Sequence, residues 1–144
     1  MIGAPRGAFF ACLLVLLLAS CWSSEEPVSE TQKYYFLESL KQVEAGGTRL
    51  RTPNLDQPEM NEALAMLDQG LRLAFEVDRE FLDQLDLRLG KNFERYFVKG
   101  VENYRLGIEA GDEQQQREGL RLLARWSEFW QAEQAAIRAR LEPG

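Results

Sequence analysis

The sequence predicts an all-α protein, an antiparallel bundle of about four helices. Apolar residues recur three and four positions apart over long stretches, which is the spacing of one face of an α-helix. Serine or aspartate precedes several of these stretches, with glutamate or glutamine three residues later, a pattern typical of helix N-termini. The chain shows no sustained alternation of apolar and polar residues rich in β-branched side chains, so no sheet is predicted.

The first predicted helix covers about residues 30–45. Ser29 and Gln32 form a capping box at its start. The pair Gly46-Gly47 is the expected end, because glycine commonly terminates helices. Residues 48–55 are then predicted to form a loop.

The second predicted helix is the longest and covers about residues 57–89. Asp56 and Glu59 form a capping box at its start, and Leu55 and Met60 form a hydrophobic staple across that box. The apolar face continues at Leu64, Leu67, Leu71, Ala74, Phe81, Leu85 and Leu89, with one longer gap over Asp78. We therefore expect one continuous rod about 50 Å long.

Two further helices follow a break expected at Gly90. The third covers about residues 91–110, ends at Gly111, and has an apolar side formed by Phe93, Tyr96, Phe97, Val101, Tyr104 and Ile108. Asp112 and Gln115 open the fourth, which runs to about residue 141 with Leu120, Leu123, Trp126, Trp130, Ile137 and Leu141 on its apolar face. The short connections favour antiparallel packing, with residues 30–144 forming one bundle domain.

Composition excludes several classes of function. The chain has 144 residues and a net charge of −6, and an acidic protein is a poor partner for nucleic acid. Histidine is absent from the sequence, which excludes Ser-His-Asp and Cys-His nucleophiles and removes the commonest zinc ligand. The hydroxyl residues form no Gly-x-Ser-x-Gly turn, so we predict neither enzymatic activity nor a cofactor.

The N-terminus has the features of an export signal. Arg6 is the only charged side chain among the first 20 residues, and residues 8–19 form a nearly unbroken apolar run. Such a run is shorter than the roughly 20 residues that a membrane-spanning helix needs, and it suits the apolar region of a signal peptide.

The four residues Leu18-Ala19-Ser20-Cys21 follow this run. They resemble the lipobox of bacterial lipoproteins, in which a leucine and two small residues precede the acylated cysteine. The resemblance implies cleavage after residue 20, diacylglycerol on the thiol of Cys21, and a third chain on the new amino group. Several acyl chains together would anchor the protein stably to a membrane.

Residues 21–29 would then be a lipidated cysteine and a short polar tether. The eight residues 22–29 reach about 26 Å at full stretch, which keeps the bundle beside its membrane. Trp22, rather than aspartate, follows the cysteine. By resemblance to the sorting rule of enteric bacteria, this favours the periplasmic face of the outer membrane.

Two aromatic clusters are the candidate partner-binding residues. Tyr34, Tyr35 and Phe36 precede Leu37, and four successive large side chains point around a full helical turn, so a single neighbouring helix cannot cover them. Either the first helix is buried between others, or part of it is an exposed interaction site. Trp126 and Trp130 are interpreted first as core residues, although an indole at the edge of the bundle would suit a partner.

Charged residues provide two weaker candidates. Glu76, Glu80 and Asp83 would share one face of the second helix, where a solvated surface is favoured over a cation site. Arg49 and Arg51 form a small basic spot that anionic head groups would attract, although a solvated loop is again favoured.

The function favoured by these observations is that of a non-catalytic, membrane-anchored adaptor that assembles or regulates another envelope protein. In architecture alone, such a protein resembles the pilotins that escort outer-membrane secretins. Pilotins of the type II secretion system commonly carry a disulfide, which the mature chain, with no cysteine after Cys21, cannot form. The alternatives are an immunity or exclusion lipoprotein that neutralises a toxin, and a binder of lipid or another small apolar ligand.

The lipobox leads to a direct test. We expect Cys21→Ser to leave the precursor uncleaved and to move the protein from the detergent phase to the aqueous phase in a phase-partition assay, because the acyl acceptor is lost. Normal processing and membrane retention of this variant would refute the lipoprotein interpretation.

Overall fold

The computed structural model describes residues 28–142, and this part of the chain is all-α, as predicted. Its elements are α1 (Glu30–Leu50), α2 (Gln57–Phe75), α3 (Arg79–Leu85), α4 (Leu89–Asn92), a π-helical segment (Phe93–Val98), α5 (Lys99–Ala110) and α6 (Glu113–Leu141). α4, the π-helical segment and α5 follow one another without a gap and form one continuous helical rod. The predicted lipidation site Cys21 lies outside the described residues.

Two helical hairpins make up the bundle. α1 packs along α2, and α5 packs along α6, with the π-helical segment and α5 joining the two pairs. Gly119 allows α5 and α6 to approach closely, since a Cβ atom there would lie 2.4 Å from the backbone nitrogen of Tyr104. The core fills the space between the hairpins and includes Phe36, Leu67, Leu71, Leu82, Leu89, Phe93, Val101, Ile137 and Leu141.

The predicted helix starts are confirmed where capping residues mark them. The backbone N–H of Glu59 donates to Oδ1 of Asp56 at 2.8 Å, and the backbone N–H of Asp56 donates to Oε2 of Glu59 at 3.1 Å. The Asp112 carboxylate accepts from the backbone at the start of α6. Gly111 adopts a φ of 66°, the left-handed conformation that ends a helix.

The predicted end of the first helix at Gly46-Gly47 is wrong, because α1 continues to Leu50. Gly46 lies where α2 crosses α1, and a Cβ atom there would be 2.8 Å from the carbonyl oxygen of Ala63. The residue therefore serves interhelical contact rather than termination. A Cβ atom on Gly47 would meet nothing within 4 Å.

The predicted continuous second helix is also wrong, because α2 ends at Phe75 and α3 begins at Arg79. The Gln32 side chain holds the break. Its Nε2 donates to the carbonyl oxygen of Glu76 at 3.1 Å, and its Oε1 accepts from the backbone N–H of Asp78 at 2.7 Å. One side-chain amide thus replaces helical partners on both sides of the interruption.

The break expected at Gly90 lies earlier, between α3 and α4, and Gly90 itself is helical. The Asp86 carboxylate turns the chain there by accepting from the backbone N–H of Arg88 at 2.8 Å. Burial raises the pKa of Asp86, but the hydrogen bonds and charge of Arg88 outweigh burial and hold that pKa below its usual value.

The third predicted helix contains a feature that the apolar pattern did not indicate. Residues Phe93–Val98 form a π-helix, whose wider turn changes the register of the side chains. The rings of Phe93 and Phe97 lie stacked, with centroids 4.9 Å apart. Both face the core, together with Val98 and Val101.

The two adjacent glycines of α1 provide a matched test of the helix crossing. We expect Gly46→Ala to lower the free energy of unfolding by about 1–3 kcal/mol, because the new methyl group would collide with the backbone of α2. Gly47→Ala should raise it by up to about 1 kcal/mol, since alanine favours a helix and the space is open. Urea denaturation followed by circular dichroism measures both, and equal effects would contradict the described crossing.

Candidate functional site

Phe36 is the ring that connects the two hairpins. It is 0% exposed, and its centroid lies 5.4 Å from that of Phe93 and 5.8 Å from that of Trp130, both in edge-on geometry. Edge-to-face pairs at such distances stabilise a core beyond the burial of their surface. Phe36 therefore fixes α1 against the other hairpin.

Phe36 and Trp126, both predicted as partner-binding residues, lie buried in the hydrophobic core. Trp126 is 7% exposed and packs against Phe97 at 5.3 Å and Trp130 at 5.6 Å. The physical reason is that α1 has neighbours on more than one side, so Phe36 points into the core while its sequence neighbours point elsewhere. For Trp126, the interpretation as a core residue is the correct one.

An exposed aromatic surface remains on the first half of α1. Tyr34 is 57% exposed, Tyr35 is half-buried, and their ring centroids lie 5.9 Å apart. Leu37 joins them beside a shallow surface depression. We call Tyr34, Tyr35 and Leu37 the α1 patch. It begins only two turns after residue 28, where the described chain starts.

A second feature is a groove of about 480 Å³ between α1 and α6. We call it the α1–α6 groove. Its floor consists of buried apolar residues, namely Leu67, Phe97, Val101 and Trp126, and its walls are Leu40, Val43 and Gly47 from α1 and Leu120, Leu123 and Trp130 from α6. Trp130, predicted as a partner-binding residue, thus lies partly exposed in this wall. Leu120 remains 50% exposed.

Polar groups mark the ends of the α1–α6 groove. Arg51 and Tyr104 lie at one end, and burial raises the pKa of Tyr104 while the charge of Arg51 opposes this increase. At the other end, the guanidinium of Arg138 lies 5.7 Å from the centroid of the Trp130 ring. Glu44 lines the α1 side between these ends. The groove is therefore largely apolar, with Glu44, Ser127 and Gln134 as polar lining residues and an arginine at each end.

The two charged clusters considered from the sequence are divided by the fold. The break after Phe75 separates Glu76 from Glu80 and Asp83, and Asp83 accepts from Nε of Arg79 at 2.9 Å. Arg49 pairs with Glu62 at 2.8 Å on α2, whereas Arg51 lines the groove. Neither cluster therefore forms the arrangement that its spacing indicated.

The amino-acid pattern contains little indication of the α1–α6 groove. Glycine at position 47 predicts a helix stop, but α1 continues through it, and the missing side chain leaves space in the groove wall. Tyr104 and Leu123 were assigned to apolar faces, and their partial exposure depends on how far α1 and α6 stand apart. Arg51 was the one groove residue for which an anionic partner was considered.

Two further features, a metal site and a membrane-spanning helix, are not found in the described residues. Within residues 28–142, no group of three or more acidic or cysteine side chains is arranged to hold a metal ion. Over the same residues, none of the helices combines the length and apolarity needed to cross a membrane. Comparison of the chain with protein-family models, curated proteins and solved structures gives no match.

The contrast between Phe36 and Tyr34 can be measured. We expect Phe36→Ala to lower the free energy of unfolding by about 3–5 kcal/mol, because it removes a buried ring between the hairpins. Tyr34→Ala should change it by no more than about 0.5 kcal/mol, since that ring is largely in solvent. Comparable losses in urea denaturation would place Tyr34 in the core and contradict the α1 patch as a free surface.

Proposed function

We propose that the protein is a lipid-anchored, non-catalytic adaptor of the bacterial cell envelope, and that the α1 patch contacts its protein partner. The observation that carries this proposal is the exposure of Tyr34 on a helix in which Phe36, two residues later, is fully buried. Exposed aromatic side chains in contiguous apolar surface are common anchors of protein interfaces.

The rigid support of the α1 patch favours binding. Phe36 fixes the helix from below, and the Gln32 amide fixes its first turns to the α2–α3 connection. A surface held in one conformation loses little conformational entropy when a partner binds. The α1 patch is therefore suited to recognition.

Charged pairs surround the α1 patch. Lys33 and Glu30 lie 3.8 Å apart, and Lys41 and Glu38 lie 3.2 Å apart, both along α1. An apolar centre with a polar rim is the usual anatomy of a protein interface. Since each rim pair is neutral overall, we expect partner binding through the α1 patch to depend only weakly on salt.

The position of the α1 patch restricts the partner. The predicted tether reaches about 26 Å at full stretch and enters the bundle at the start of α1. The partner surface must then lie near the membrane that holds the lipid, so we propose a membrane-proximal apolar surface of an envelope protein. The lack of histidine in the sequence supports a binding rather than a catalytic role.

Site-specific photocrosslinking tests this proposal. A benzophenone amino acid replacing Tyr34 should give one dominant protein adduct in native membranes, and the same amino acid replacing Leu106 should not. Leu106 is a suitable control because it is a 37% exposed apolar residue of α5, a different helix from the one that carries the α1 patch.

A binding measurement completes the test once the adduct is identified by mass spectrometry. We expect Tyr34→Ala combined with Tyr35→Ala to weaken binding to the purified partner at least thirtyfold, as expected for anchor residues worth about 2 kcal/mol. Leu106→Ala should leave the affinity unchanged. Equal crosslinking at both positions, or full affinity of the double variant, would refute the α1 patch as the interface.

A further inference from the structure

The shape of the α1–α6 groove suits one class of ligand. The lining residues of α6 run from Leu120 to Arg138, a length of about 27 Å at 1.5 Å per helical residue. A volume of about 480 Å³ spread over this length gives a mean cross-section of about 18 Å². A methylene chain about 4 Å wide fits that section.

The lining of the α1–α6 groove agrees with this shape. Most of its lining is apolar or aromatic, and a few polar side chains, Glu44, Ser127 and Gln134, lie among these residues, as in sites that bind a small apolar ligand. Gly47 leaves room in the α1 wall, since a Cβ atom there would meet nothing within 4 Å. The indoles of Trp126 and Trp130, which lie stacked with centroids 5.6 Å apart, both line the groove.

The end of the groove at Arg51 suits an anionic head group. The Arg51 guanidinium donates to the neutral hydroxyl of Thr48 at 3.1 Å, and among residues 28–142 it forms no ion pair with a carboxylate. The Tyr104 side chain lines the same end of the groove, and its phenolic hydroxyl can donate a hydrogen bond. An arginine and a hydroxyl together form a good receptor for a carboxylate. Glu44 lies two helical turns before Arg51, about 10 Å away along α1.

We propose that the α1–α6 groove binds a long-chain fatty acid, with its single acyl chain along the floor and its carboxylate at Arg51 and Tyr104. This site is separate from the α1 patch, so the proposal does not depend on the protein partner. The fatty acid would bind non-covalently. Such binding suits a protein whose predicted tether keeps it close to a membrane, which is a source of acyl chains.

A photoactivatable fatty acid with a diazirine in its chain provides the direct test. The probe is added to the full mature protein in phosphatidylcholine nanodiscs, and the labelled peptides are identified by mass spectrometry. We expect labels on the groove-lining parts of α1 and α6. Labels confined to other surfaces would overturn the proposal.

Gly47→Leu is the blocking variant, because its side chain should fill the groove without colliding with the fold. We expect it to reduce groove labelling at least tenfold while circular dichroism shows unchanged helicity. Ala45→Leu is the matched control, since Ala45 is an exposed residue of the same helix that does not line the groove. Equal labelling of the two variants would overturn the proposal.

Competition tests recognition of the carboxylate. In the wild-type protein, oleate should compete with the probe at least fivefold better than oleyl alcohol, which has the same chain without the charge. Arg51→Gln should abolish this preference, and Arg49→Gln should retain it, because Arg49 pairs with Glu62 outside the groove. Equal competition by the acid and the alcohol in the wild-type protein would overturn the assignment of Arg51.

Discussion

The packing of Phe36 between two hairpins is the interaction on which the rest of the structure depends. Its ring touches the π-helical segment through Phe93 and α6 through Trp130, so it connects three parts of the chain that are distant in sequence. α1 otherwise packs mainly along α2. Because Phe36 occupies the space where α1 meets the second hairpin, it sets how closely the two hairpins approach.

This contact explains both candidate functional surfaces. Once Phe36 points inward, the 100° rotation between successive helical residues turns Tyr34 toward solvent and Tyr35 to the boundary. Further along α1, the smaller residues Val43 and Gly47 line the groove between α1 and α6. The same helix therefore carries the α1 patch near its start and lines the α1–α6 groove near its end.

Much of the fold could be predicted from local signals, because those signals act within a few residues. The capping box of Asp56 and Glu59 and the left-handed Gly111 depend only on neighbouring backbone groups, and both were found as predicted. The errors arose where a distant residue decides the outcome. The role of Gly46 depends on its close approach to Ala63 on α2, and the break after Phe75 depends on hydrogen bonds from Gln32 on α1. Neither contact can be read from the neighbouring residues. The groove and its lining residues depend on the spacing between α1 and α6. The apolar periodicity of each helix does not reveal that spacing.

The Gln32 side chain has a mechanical consequence. Any force that enters through the residues before Val28 acts first on the start of α1, and pulling there would peel this helix away from its neighbours one turn at a time. The two hydrogen bonds of Gln32 to the α2–α3 connection lie within the first turn and must break before the peeling reaches Phe36. A single amide side chain thus resists force at the point where it is applied to the bundle. A force too weak to break its two hydrogen bonds does not reach the aromatic core around Phe36.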